Sequence, residues 1–369
     1  MRAIGGTRNR LKLGVFGPNC SSGLAKTKVP ERWSGSWDDN IALTRMVDEA
    51  GLEFVLPVGR WKGYGGETDP HAATFETVTW ATGMLCASRR VTVYATVHAP
   101  LIHPVFAAKM CVTADHAGNG RFGLNVVCGS HEDEFEMFGV ARRPSEEGYA
   151  YGAEWLEIVL RLWEENEPFD YDGRFFQLKH VQALPKPFGG SRPIVLNAGI
   201  SPAGKAFGMH YADTLFTGFT TIEQLSDVVR SVRDGAAASG RTIEVYSTVN
   251  VVCRPTVREA EEYYRYFAHE MADWGAIEER LDDYRAYGEN FFSAAPNAER
   301  MRLVAGHGGY PCVGDADHVA GELARIAAAG IGGLALGFVN YLKELPFFCD
   351  EGVPRLEVLG VREAGRPEG

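Results

Sequence analysis

The sequence has no run of about 18 apolar residues, so no segment reads as a helix long enough to span a bilayer. It has no CxxC pair, and its seven cysteines, Cys20, Cys86, Cys111, Cys128, Cys253, Cys312 and Cys349, are odd in number and widely spaced. That usage reads as reduced thiols, not a disulfide frame or a zinc site. Excess basic charge is also missing: 37 Lys and Arg stand against 48 Asp and Glu, a net charge of −11. Nucleic acids and anionic membranes need a basic face and are poor partners for such a chain. A small anion needs only a local basic patch and stays open. No apolar segment follows the arginines of residues 1–10, so no secretory signal is read there and a cytoplasmic location is expected.

What is present is an alternation. Short apolar runs read as strands at 11–16, 54–58, 91–96, 122–127, 194–197, 214–216, 243–252 and 333–338. Helical patterns fall between them, as at 37–50, 74–88, 149–163, 221–238 and 316–329. Residues 17–36 and 59–72 read as long loops, 128–147 as an acidic loop and 169–182 as a small hairpin. Strand then helix, repeated about eight times with no strand-only block, predicts a parallel sheet covered by helices. At 369 residues, eight units fit a closed (β/α)8 TIM-like barrel carrying insertions, with residues 1–369 as a single domain. Residues 275–310 are irregular by pattern and are expected to be a mobile insertion. Residues 351–369, rich in Gly, Pro and charge, read as a loose tail.

In such a barrel the site lies at the C-terminal ends of the strands. Those ends offer Asn19 and Ser21; Gly59, Arg60, Trp61 and Tyr64; Thr96 and His98; Asn125, Cys128 and His131; Asn197, Gly199 and Ser201. Paired carboxylates for hydrolysis are missing there, and no strand end has His, Asp or Glu at metal-ligand spacing, so no metal site is expected. The sequence has no GxSxG elbow and no P-loop. Uncharged donors, glycines and aromatics suit a cofactor that brings its own reactivity. Flavin is the natural candidate: its ring needs an apolar slot with few hydrogen bonds, and its phosphate needs backbone N–H groups at a helix start. The run Gly118-Asn119-Gly120-Arg121-Phe122-Gly123 satisfies GxGxxG. A dinucleotide fingerprint needs a strand before it and a helix after it; here the predicted order is reversed, so the run reads as a tight turn.

The stretch from Asn119 through Arg121, Asn125 and Val127 to Cys128 and Gly129 resembles the glycine-arginine and N-V-V-[ST]-G segment of bacterial-luciferase-like flavin monooxygenases. Gly51-Leu52-Glu53-Phe54 with Arg60 to Gly66 resembles that family's second strand and loop, and Asn197 to Gly204 resembles its phosphate segment. The resemblance runs from about 11 to 360. It is nearest to the dimethylsulfone and pyrimidine oxygenase branches.

The resemblance implies reduced FMN delivered by a separate NAD(P)H:flavin reductase, O2 as co-substrate, a flavin peroxide at C4a or N5 as oxidant, a small organic substrate and a homo-oligomer. A C–S, C–N or carbonyl carbon is the expected point of attack. It places Thr96 and Asn125 at the reactive flavin edge, and Tyr149 and Ser201 at the phosphate. It places Gly59, Arg60, Glu134 and the backbone of Gly148 along the cofactor. The sequence departs from the relatives at Cys128 and Ser130, where they carry a hydroxyl and an aromatic.

Each position also has an ordinary structural reading. Asn125 can satisfy strand ends inside the barrel, Thr96 can be there for β-propensity, and Ser201 before Pro202 can be a plain N-cap. Arg60 can be a surface cation and Glu134 part of a solvated acidic run. His98 could act as a base or polarise a substrate, and His131 likewise, though loop histidines are commonly neither. Trp33, Trp37 and Trp61 are candidates for a pocket wall. Arg60 with Lys62 is a candidate clamp for an anionic head group. Two rivals share the resemblance: a deazaflavin-dependent hydride-transfer enzyme and a flavin-binding protein without turnover.

Overall fold

The computed structural model describes residues 4–129, 131–286 and 297–363. Its strands are β1 (Lys12–Phe16), β2 (Phe54–Leu56), β3 (Thr92–His98), β4 (Phe122–Val127), β5 (Phe169–Asp172), β6 (Gln177–Val181), β7 (Ile194–Asn197), β8 (Thr214–Phe216), β9 (Glu244–Cys253), β10 (Tyr310–Gly314) and β11 (Gly333–Gly337). Strands β1, β2, β3, β4, β7, β8, β9 and β11 pair in that order, all parallel, and β11 pairs back onto β1. The result is a closed eight-stranded (β/α)8 barrel. The antiparallel pair β5–β6 is the hairpin expected at 169–182.

Helices lie outside the ring because the strand sequences are apolar on both faces. Leu13, Val15, Val55, Val93, Ala95, Leu124 and Val195 pack outward against helices such as Thr77–Ala87 and Pro104–Ala117. Phe54, Leu56, Tyr94, Leu196, Phe216 and Tyr246 fill the inside. Several helices start on a side-chain cap at the end of a strand-to-helix loop. Ser36, Ser201, Thr221, Thr256, Asp315 and Asn340 each accept a backbone N–H two or three residues into the helix.

Three sequence readings need correction. Residues 275–310 are not irregular where described: Trp274–Ala286 and Asn297–Gly306 are helices, and β10 follows. The first helix buries Ala276, Ile277 and Leu281 together with Arg280. A charged residue on the apolar face breaks the pattern a sequence reader looks for. Of the insertion expected at 275–310, residues 287–296 lie outside the described residues. Strand β10 was missed because Pro311 lies within it. Among the described residues it pairs on one side only, with β9, where proline is tolerated. The long β9 gives its first residues to β8 and its last to β10.

The third correction is the tail. Val353–Val358 is helical, and Arg362 is buried. Arg362 donates to Glu53 Oε2 at 2.9 Å, to Leu11 O and to Gly51 O. Glu53, with no exposed surface, also accepts from Thr7, Asn9 and the Leu13 amide. This clasp ties residues from both ends of the chain under the barrel. The acidic loop read at 128–147 contains a short helix, Glu132–Met137.

Candidate active site

The C-terminal strand ends form a mouth with two differently furnished halves. In the first, Thr96 on β3 sits opposite Asn125 on β4 in the parallel register. Both are buried. The Thr96 hydroxyl donates to Pro57 O at 2.8 Å, which leaves its oxygen free to accept Asn125 Nδ2 at 3.1 Å. This relay fixes the Asn125 amide: Nδ2 faces Thr96, so Oδ1 faces the mouth. Asn125 Oδ1 is buried with no hydrogen-bond partner among the described residues. A buried acceptor left unpaired carries a cost on the order of 1–3 kcal/mol, so the site calls for a donor.

Gly59, after β2, lies against this pair. A Cβ there would stand 2.7 Å from Thr96 Cγ2 and 2.9 Å from His98 Cε1. Burial pulls the His98 imidazole down to about 4, with Glu134 opposing and Arg60 reinforcing the shift. His98 is therefore neutral at pH 7 and a weak base.

The far end of this half is a backbone cradle. Ser201 caps the helix Pro202–Tyr211, accepting the Gly204 amide at 3.2 Å, and its hydroxyl lies 3.4 Å from that of Ser145. Asn197, at the end of β7, donates to Val126 O and accepts the Gly199 amide. A Cβ on Gly199 or Gly204 would lie 2.7 or 2.5 Å from the Tyr149 hydroxyl. Tyr149, Ser145, Ser201 and the helix start thus converge on one point, which suits an anion. Gly148 precedes Tyr149 in the helix Ser145–Glu164, with its Cβ position 3.4 Å from Cys128 O. The Cys128 thiol packs toward Gly152 of that helix, and burial drives its pKa up. Cys128 is a packing residue. Ser130 lies outside the described residues.

The second half is cationic. Arg60 and Glu134 are both buried and pair, Nε to Oε1 at 3.3 Å, while Glu134 also accepts the Trp61 amide. Arg60 lies 4.2 Å from the centre of the Tyr64 ring, Arg280 at 4.8 Å and Lys26 at 5.0 Å. His71, His131 and His307 surround the same ring at 5.0, 5.7 and 6.4 Å. Lys62, by contrast, is exposed and pairs with Asp133, on the rim of a cavity that Arg60 also lines. Of this cluster, Arg60, Tyr64, His131 and Glu134 stood out in the sequence; His71 did not. Lys26, Arg280 and His307 gave no local signal. They come from segments far apart in the chain.

The three tryptophans form no common wall. Trp33 is core, donating to Pro18 O and packed on Tyr341. Trp37 opens a helix and lies edge-on to Phe75; Trp61 lies edge-on to Phe138. A larger cavity of about 590 Å3, lined by Asn9, Gly51, Cys349 and Arg362, lies beneath the barrel, where strand N-termini serve stability rather than chemistry. No helix among the described residues is long and apolar enough to cross a membrane.

The sequence matches the family described as luciferase-like monooxygenase over residues 11–332. Among curated proteins it is similar to pyrimidine monooxygenase RutA of Methylorubrum extorquens strain PA1, with 29% identity covering 92% of each chain. It is also similar to the FMNH(2)-dependent dimethylsulfone monooxygenase of Pseudomonas fluorescens, with 25% identity covering 96% of each. Among solved structures, long-chain alkane monooxygenase LadA superposes with a TM-score of 0.86 at 19% identity, over 98% of this chain and 94% of that one. At that identity the likeness speaks for the fold alone.

Proposed function

Since the chain belongs to the luciferase-like monooxygenase family, we propose that it is a flavin-dependent monooxygenase. It takes reduced FMN from a separate NAD(P)H:flavin reductase and uses O2 to oxygenate a small organic substrate. The observation that carries this reading is the Thr96–Asn125 relay with its unpaired acceptor, across from an anion cradle on the same half of the mouth. The relatives described as pyrimidine and FMNH(2)-dependent dimethylsulfone monooxygenases support the class.

The residues present fit FMN. Tyr149, Ser145, Ser201 and the helix start would hold the phosphate, with Gly199 and Gly204 leaving it room. Asn125 Oδ1 would accept a ring N–H, a group that the reduced flavin carries more of than the oxidised one. When bound, the flavin supplies the two electrons that activate O2 for transfer to carbon or a heteroatom. The protein's own share is positional. Thr96 holds the Asn125 amide in one orientation, and Gly59 keeps the turn close to the pair. Neutral His98 is suited to hydrogen bonding rather than proton abstraction. The Arg60–Glu134 pair fixes the loop after β2, and burial of these groups keeps water from the reacting edge.

The test is reaction of the protein with chemically reduced FMN and O2, followed by stopped-flow absorbance and product analysis. Slow, protein-dependent reoxidation with an oxygenated product supports the reading. Free-solution reoxidation rates, together with tight binding of a deazaflavin, would favour the hydride-transfer alternative and sink this one.

A further inference from the structure

Three cations around one phenol ring, far from solvent, need an explanation that packing does not supply. Lys26 and His71 have no exposed surface, and Arg60, Tyr64 and Arg280 are each at least nine-tenths buried. Against Lys26 and Arg60, the buried counter-charge at the ring among the described residues is Glu134. The remaining acids nearby, Asp69, Asp133 and Glu279, are exposed at the rim of a cavity of about 190 Å3 that Arg60, Tyr64 and His131 also line. Cation–π contact returns on the order of 1–2 kcal/mol per cation. An uncompensated buried charge costs several.

The donors also point somewhere. Arg60 Nη1 is buried without a partner. Lys26 Nζ reaches the Leu24 carbonyl at 3.5 Å, a long bond for a group with three N–H donors. The histidine tautomers follow from their neighbours. Arg280 Nη2 approaches His307 Nδ1 at 3.3 Å and must donate, so Nδ1 accepts and Nε2 carries the proton. That Nε2–H is buried and unpaired. His71 Nε2 donates to Gly23 O at 2.6 Å, which leaves a bare, unpaired Nδ1. Burial first, then the neighbouring cations, hold Lys26, His71 and His307 well below their ordinary pKa values.

We propose that this cluster anchors the substrate, and that the substrate is a small organic oxyanion whose carboxylate, sulfonate or phosphate-type head sits among Lys26, Arg60, Arg280 and His307. The assignment rests on the flavin occupying the Thr96–Asn125 half of the mouth. The head group neutralises the cluster, and His71 becomes a donor by taking a proton from solvent at Nδ1. Binding is therefore tighter at pH 6 than at pH 8. The groups that face His71 and set this dependence are Lys26 from the loop after β1, and Arg60 and Tyr64 from the loop after β2. Arg280 and His307 face it from the helices before β10.

Calorimetric titration with sulfate, methanesulfonate and succinate, with and without FMN and in two buffers of different ionisation heat, measures affinity and proton uptake together. Flavin fluorescence quenching measures FMN affinity separately. The expected result is saturable anion binding with net proton uptake. Lys26→Met should weaken it about 10- to 100-fold by removing one charge-assisted contact. It should also raise the melting temperature of the anion-free protein and leave FMN affinity unchanged. Arg280→Met serves the same purpose if Lys26→Met does not fold. Binding no stronger than that of chloride, unaltered anion affinity in both variants, or direct competition between anion and FMN would each overturn the assignment. Loss of FMN binding with anion binding intact would instead strike the flavin reading and leave the anion site standing.

Discussion

The two halves of the barrel mouth solve opposite problems. On the β3–β4–β7 side, Thr96, Asn125, Ser201 and Tyr149 offer neutral groups whose orientations are set by one another and by backbone. On the side of the loops after β1 and β2, Lys26, Arg60 and Arg280 crowd one ring. The first half is pre-organised at modest cost, its side chains held by local hydrogen bonds apart from the unpaired Asn125 Oδ1. The second is held in an electrostatically unfavourable arrangement by the structure around it. Such an arrangement persists where it serves binding. A neutral half suits a cofactor with its own reactivity, and a charged half suits the recognition of a particular guest.

The sharpest way to break this contrast is Asn125→Ala. Removing the oriented acceptor should lower coupled oxygenation about 10²- to 10³-fold, the usual scale for one pre-organised hydrogen-bonding group. FMN affinity should fall far less. Single-turnover product yield against FMN quenching checks this, and an equal fall in both would merge the two roles. Next is Glu134→Gln, which removes the buried counter-charge to Arg60. It should destabilise the fold by about 3 kcal/mol, as breaking a buried pair does, and should tighten anion binding. Denaturant melts read the first effect and titration the second; tightening without destabilisation, or the reverse, would uncouple pair and pocket.

Gly199→Ala probes the neutral half alone. Its new methyl would meet the Tyr149 hydroxyl and Gly204. FMN affinity should drop about tenfold, the equivalent of one lost hydrogen bond, with anion binding untouched.

Acid should act on both halves together. His98, His71 and His307 all have folded-state pKa values below the ordinary 6.5. The unfolded chain therefore binds more protons below pH 6.5. Stability is complete above that point and is lost as pH falls toward 4, by on the order of 1 kcal/mol per pH unit per histidine. A melting temperature that stays flat from pH 7 to pH 5 would contradict this. The smallest effect belongs to Lys62→Ala. Lys62 pairs with Asp133 in solvent, and exposed pairs are worth about 0–1 kcal/mol. Anion affinity should stay within about twofold of the wild type, which a parallel titration would show.

The neutral half was legible in the sequence, and the charged half largely was not. Thr96, Asn125, Asn197 and Ser201 lie in or just after the ends of the apolar runs, where capping residues begin. Lys26 is more than 250 residues from Arg280 and His307, and all three lie in segments whose local pattern is weak. Buried charge cannot be read from a sequence, because the same residue on the surface looks identical. Arg280 obscured even its own helix, and Pro311 obscured β10. The exposed Lys62 was the natural partner for Arg60 by proximity in sequence; it lines the same cavity, with its ammonium paired to Asp133 at the solvent edge. In the barrel itself the alternation of apolar runs and amphipathic stretches was enough to place eight strands in order.

The clasp of Glu53 with Arg362 bears on the timing of assembly. Those residues are 309 positions apart, and β1, paired with β2 on one side, must wait for β11 before its other flank is paired. A chain emerging from the ribosome carries an unsealed sheet edge until nearly the whole sequence has been made. Contacts this distant slow folding, and open edges invite association. Shortening the chain before Arg362 should thus show first as poor recovery during expression, before any effect on catalysis.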